Sequence, residues 1–155
     1  MRTSVQCHRG LIMPTVHIQD TAGALRSAAI AALATLIVLN LGMFASTLAG
    51  VEPHPPGARG PYIAATAALA TATLLQLMAA RGGAVPLLAL TALAFIPGVG
   101  PHKFFTEAAA RDLAPVIIVG TGALVTLVVV ALRLHRLQRE VASGPPLRAA
   151  TGAAR

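Results

Sequence analysis

From residue 27 to residue 132 the chain alternates between long uncharged apolar runs and short polar or charged interruptions. Four runs stand out, at 27–49, 62–80, 84–99 and 113–132, and none of them contains Asp, Glu, Lys or Arg. A helix rises about 1.5 Å per residue, so a bilayer core about 30 Å thick needs roughly 20 consecutive apolar residues. The pattern therefore predicts an all-α membrane protein with four transmembrane helices. The third span, at 16 residues and holding Pro86 and Pro97, is the shortest. Alternating ten-residue strands, which a membrane barrel would need, do not occur. Ala, Leu, Val and Ile fill the runs, and helices satisfy every backbone amide within the segment.

The interruptions predict how the spans connect. Pro86 and Pro115 fall in first turns, where a missing amide proton costs nothing extra, and Asp112 can cap the fourth span ahead of Leu113. Arg81-Gly82-Gly83 is short enough to make spans two and three an antiparallel hairpin. The other two connections are longer: 52–61 holds four prolines, and Pro97-Gly98-Val99-Gly100-Pro101 ends the third span. The segment 103–112 reads as a short interfacial helix. Phe104, Phe105, Ala108 and Ala109 lie on one face, with Lys103–Glu107 and Glu107–Arg111 at ion-pair spacing on the other. The result is an up-down bundle, with this helix in its second outer loop.

Charge sets the orientation. The protein carries 12 basic and 5 acidic residues, a net charge of +7, with charged residues at only 11% and a mean hydropathy of +0.73. Arg and Lys resist translocation. With both termini inside, Arg2, Arg9, Arg26, Arg81, Arg133, Arg136, Arg139, Arg148 and Arg155 are cytoplasmic, while Arg59, Lys103 and Arg111 are outside. The acids Asp20 and Glu140 fall inside, and Glu52, Glu107 and Asp112 outside, so the whole net charge is cytoplasmic. This predicts an N-in/C-in protein with a cytoplasmic leader at 1–26, a transmembrane domain at 27–132 and a basic cytoplasmic tail at 133–155. Arginine, alanine, glycine and proline bias points to a GC-rich bacterial source, hence the bacterial inner membrane. Met13 is an alternative start. Reading 27–49 as a signal peptide cleaved after Thr47-Leu48-Ala49 conflicts with its length and with its 26-residue leader. Aromatic residues make up 3% of the chain and tryptophan is absent, which argues against nucleic acid as a partner.

Candidate chemistry is sparse. Cys7 stands alone, so neither an internal disulfide nor a thiolate metal cluster can form. No ionisable side chain lies at membrane depth, where transporters and proton pumps usually keep one. Asn40 and Gln76 are the strong hydrogen-bonding side chains inside the spans, and bonds to neighbouring helices account for them. The histidines, His8, His17, His54, His102 and His135, are all terminal or in connections, which argues against a buried b-type haem; no cofactor is implied. On the outer face His54, His102, Glu52, Glu107 and Asp112 form a candidate ligand or metal cluster. His102 and Glu107 stand about 140° apart on a helix, so they cannot chelate together from one regular turn.

Two further patterns bear on association. Gly50-Val51-Glu52-Pro53-His54 and Gly98-Val99-Gly100-Pro101-His102 agree at four of five positions at an offset of 48 residues, as a duplicated hairpin would require, although a glycine- and proline-rich chain also repeats such exits by chance. Ala64, Ala68 and Ala72 recur every four residues, and Gly120 and Gly122 thin the fourth span, so these faces suit close helix packing within the chain or between copies. Arg133, Arg136 and Arg139 continue the fourth helix to the level of lipid headgroups. The leading expectation is a non-catalytic accessory or assembly subunit of a membrane complex, or a self-associating bundle, with the bilayer and a membrane protein or second copy as partners. The alternatives are a transporter or channel for a small neutral or lipophilic molecule, with a path near Asn40 and Gln76, and a metal- or cofactor-binding enzyme using the outer histidines and carboxylates.

Overall fold

A computed structural model of the protein describes residues 13–51, 59–79, 83–99, 102, 105 and 111–143. Among these residues the chain is all-helical, with four helices and no strand: α1 (Met13–Ala49), α2 (Gly60–Met78), α3 (Ala84–Val99) and α4 (Ala114–Ser143). Three are long and apolar enough to cross a membrane, over Asp20–Ala49, Gly60–Met78 and Ala114–Ser143. α3 is equally uncharged but has 16 residues, about 24 Å of rise against a core of about 30 Å.

The helix ends follow from local chemistry. α1 stops at Gly50, whose φ of 63° is the left-handed conformation glycine adopts without strain. The Val51 amide donates to the Ser46 carbonyl (3.1 Å) and the Gly50 amide reaches towards Thr47 (3.4 Å), closing the last turn with two otherwise orphaned carbonyls. Gly83, at φ 87°, turns the chain into α3. Pro61 sits in the first turn of α2, and Pro86 and Pro115 occupy the same kind of position in α3 and α4. α4 begins at Ala114, so Leu113 rather than Asp112 stands at its N-cap position, and the exposed Asp112 lies in the turn before it.

Two helices outrun their apolar spans. α1 is helical from Met13, fourteen residues ahead of the uncharged run that begins at Ser27. α4 continues past Leu132 through Arg133, Arg136 and Arg139 to Ser143, so the stretch read as a basic tail from 133 begins as a continuation of the helix. The expected interfacial helix lies mostly outside the described residues. Of its members Phe105 is helical and exposed, with its amide donating to the His102 carbonyl (3.0 Å).

Packing places each helix against two others: α1 on α2 and α4, and α3 on α2 and α4. The core is apolar, with Leu33, Leu36, Leu77, Leu88, Phe95 and Leu127 enclosed. Burial is one-sided. Most of each long apolar helix is left uncovered by the rest of the chain, and Val38, Leu41, Leu75, Leu93, Ile118, Val125 and Leu132 all point outward. Soluble monomers rarely expose apolar patches beyond a few hundred Å², so an aliphatic outer surface of this extent requires a non-aqueous surrounding.

Candidate functional site

Among the described residues four polar side chains are buried, Asn40, Thr66, Thr73 and Thr91, and each is bonded within the chain. α2 is common to all of these contacts because its buried face carries Ile63, Thr66, Ala70, Thr73 and Leu77 at helical spacing. Asn40 of α1, 6% exposed, donates from its amide nitrogen to the Ile63 carbonyl (3.1 Å) and to the Thr66 hydroxyl (2.7 Å). The Thr66 proton is then directed to the Tyr62 or Ile63 carbonyl one turn back (2.9 and 3.0 Å). Seven residues deeper, the Thr73 and Thr91 hydroxyls meet at 2.7 Å between α2 and α3. Thr73 also lies 2.9 Å from the Leu69 carbonyl; when its one proton goes there, Thr91 donates to Thr73.

At the other end of α3 the same device closes a backbone problem. Pro97 offers no amide proton inside the helix, and the last carbonyls of any helix lack intrahelical donors. The Tyr62 hydroxyl from α2 donates to the Ala94 carbonyl, and the Thr121 hydroxyl from α4 donates to the Val99 carbonyl (3.0 Å). In hydrocarbon an unsatisfied carbonyl costs several kcal/mol, so the Thr121 bond to the terminal Val99 carbonyl makes the end of a short helix tolerable there, while Tyr62 ties the Ala94 turn to α2.

Of the residues read as candidates from sequence, Asn40 joins α1 to α2, as expected of a bond to a neighbouring helix. Gln76 does not join it. Ten residues separate Thr66 from Gln76, about 15 Å along α2, and the Gln76 side-chain nitrogen lies near Gly83 at the opposite end. Thr66, Thr73, Thr91, Tyr62 and Thr121 carry the rest of the polar network and were not singled out from sequence. Tyr62, Thr66 and Thr73, at intervals of four and seven on α2, were a visible signal, but their partners depend on the register between helices.

The small-residue faces divide. Gly120 is enclosed: a Cβ there would stand 3.0 Å from the Val99 Cβ and 3.5 Å from the Leu39 Cδ1, so α1, α3 and α4 converge on it. Gly122, two residues and about 200° further round, faces open space. Ala64, Ala68 and Ala72 are exposed and touch the outside of α2 rather than its core. Close packing by that stripe therefore needs something from outside the chain.

On the expected outer face, His102 and Asp112 are exposed, while Glu52, His54 and Glu107 lie outside the described residues. Among the described residues no group of three His, Cys, Asp or Glu side chains could hold a metal ion. Arg133, Arg136 and Arg139 are all exposed on the final turns of α4. Comparison of the chain with protein-family models, with curated proteins and with solved structures gives no match.

Proposed function

We propose that the protein is a multi-pass component of the bacterial inner membrane, an up-down four-helix bundle with both ends cytoplasmic, that acts by associating with a membrane protein or a second copy rather than by catalysis. The observation that carries this reading is the contrast between an interior already committed to its own contacts and an exterior that is not. Asn40, Thr66, Thr73 and Thr91 spend their hydrogen bonds inside the chain, whereas the Ala64, Ala68 and Ala72 face of α2 is exposed. Small residues every four positions let another helix approach closely, which is what drives association where lipid removes the hydrophobic effect.

Support for the up-down arrangement comes from which ends meet. Asn40, late in α1, bonds Ile63 and Thr66, early in α2; Tyr62, early in α2, bonds Ala94, late in α3; and Thr121, early in α4, bonds Val99 at the end of α3. α3 thus connects the far end of α2 to the near end of α4, which supports reading it as a fourth, shorter span. The arginines beyond Leu132 and Arg26 on α1 then share one side, which supports placing that side in the cytoplasm.

A transport path near Asn40 and Gln76 finds less support, because the Asn40 amide is used by Ile63 and Thr66 at the start of α2 while Gln76 stands near the other end of that helix. Ala68→Leu tests the association reading. Cross-linked in native membranes or sized in mild detergent, the unaltered chain should run with a partner or as an oligomer, and the leucine variant should insert normally but run smaller. A wild-type chain recovered alone at the mass of one 15.7 kDa protomer would overturn the reading.

A further inference from the structure

We infer that α4 carries a lipid site: acyl chains lie along its outward aliphatic stripe, and the phosphodiester of an anionic phospholipid is held by the arginines directly beneath. Ile118, Val125, Val129 and Leu132 are exposed, and so are Arg136 and Arg139. These six residues follow at intervals of seven, four, three, four and three. At about 100° per residue they fall within ~80° of one another around the helix, and Arg133 stands about 40° to one side. The stripe that faces lipid therefore changes from aliphatic to guanidinium without leaving its face. The core-facing stripe continues separately through Leu127, Val130 and Leu134.

The depths also agree. Leu132 is the last exposed aliphatic residue before the charges, and Arg136 and Arg139 follow it by about 6 and 10 Å of helix rise. The headgroup layer is roughly 5 to 7 Å thick on each side, and an arginine side chain can reach back along the helix, so Arg133 and Arg136 lie at phosphate level and Arg139 at its edge. Guanidinium pairs with a phosphodiester through two parallel N–H donors, and the pairing is favoured where no headgroup cation competes for the phosphate's negative charge. Glu140 is the single acid on α4 beyond Leu132, against three arginines. The partner is thus a lipid whose headgroup keeps a net negative charge, such as phosphatidylglycerol.

This inference rests on the membrane placement proposed above, and the test separates the two. The full chain is reconstituted into phosphatidylcholine vesicles containing a minor fraction of phosphatidylglycerol, and lipid contact is read by spin-labelled analogues of each. Failure to stay with the vesicles after an alkaline wash would overturn the membrane placement itself. For an inserted chain we expect the anionic label to be enriched roughly fivefold over the zwitterionic one at low salt, with the preference shrinking as salt approaches 1 M. Replacing Arg133, Arg136 and Arg139 together by Gln should abolish the preference, replacing all three by Lys should keep most of it, and Arg26→Gln should leave it intact. Equal enrichment of both labels by the wild type, or a preference that survives the triple Gln variant, overturns the lipid site. Displacement of the anionic label by millimolar inorganic phosphate at constant ionic strength would overturn it too, by showing that free phosphate is the ligand.

Discussion

Asn40 places two hydrogen-bond donors in the uncharged run of α1, and both are answered by α2. Interhelical bonds in bilayers average about 0.6 kcal/mol and reach about 1.7 at most, because the unfolded chain also finds partners there. A double-mutant cycle of Asn40→Ala with Thr66→Val should give a coupling in that range when unfolding is followed in mixed micelles, and additivity of the two changes would show that the contact contributes nothing. Gly120 and Gly122 offer a sharper contrast. Alanine raises helix propensity by about 1 kcal/mol over glycine at either position, but at Gly120 its methyl group meets Val99 at 3.0 Å, and overpacking of that kind costs about 1 to 3 kcal/mol. We expect Gly122→Ala to stabilise the fold, Gly120→Ala to destabilise it, and Val99→Ala to restore part of the loss in the Gly120→Ala background. Equal shifts from the two glycine variants would contradict the convergence of helices on Gly120. The sequence showed both glycines as thin points but could not distinguish them, because which one faces the core depends on the rotation of α4 against α3.

At the scale of elements, the uncharged runs located all four helices because hydrocarbon burial acts on every residue of a span at once. The boundary at Met13 was not legible in the same way. Residues 13–26 mix Pro14, Gly23, Asp20 and Arg26 with isolated apolar positions, and no uncharged run marks where the helix starts. The C-terminal extension was easier to read, since Leu134 and Leu137 keep helical spacing with Leu127 and Val130 between the arginines. The alanine periodicity of α2 was equally plain, yet periodicity alone does not say which way a face points. Only the positions of Ile63, Thr66, Ala70 and Thr73 on the opposite side turn Ala64, Ala68 and Ala72 outward. The polar network escaped for a related reason: Tyr62 and Thr121 matter because they reach the Ala94 and Val99 carbonyls of α3, and that reach depends on how the helices sit against one another.

For the whole molecule, the proposed topology predicts that reporters fused to the N-terminus and to the C-terminus answer from the same, cytoplasmic compartment. A reporter inserted between α1 and α2 should answer from the other side. Opposite compartments for the two ends would require an odd number of crossings and would remove α3 as a span. α3 also has a consequence for the solvent around the protein. Its 16 residues rise about 24 Å, while its outward Leu90, Leu93 and Ile96 are exposed like the aliphatic residues of the longer helices. In the proposed four-span topology a bilayer about 30 Å deep dimples along that flank and relaxes to full depth beside α1 and α4, at a cost of fractions of a kcal/mol for each ångström of mismatch. That topology is therefore lopsided in the thickness it demands, and its α3 flank should drift towards thin membrane or towards a neighbour that is just as short.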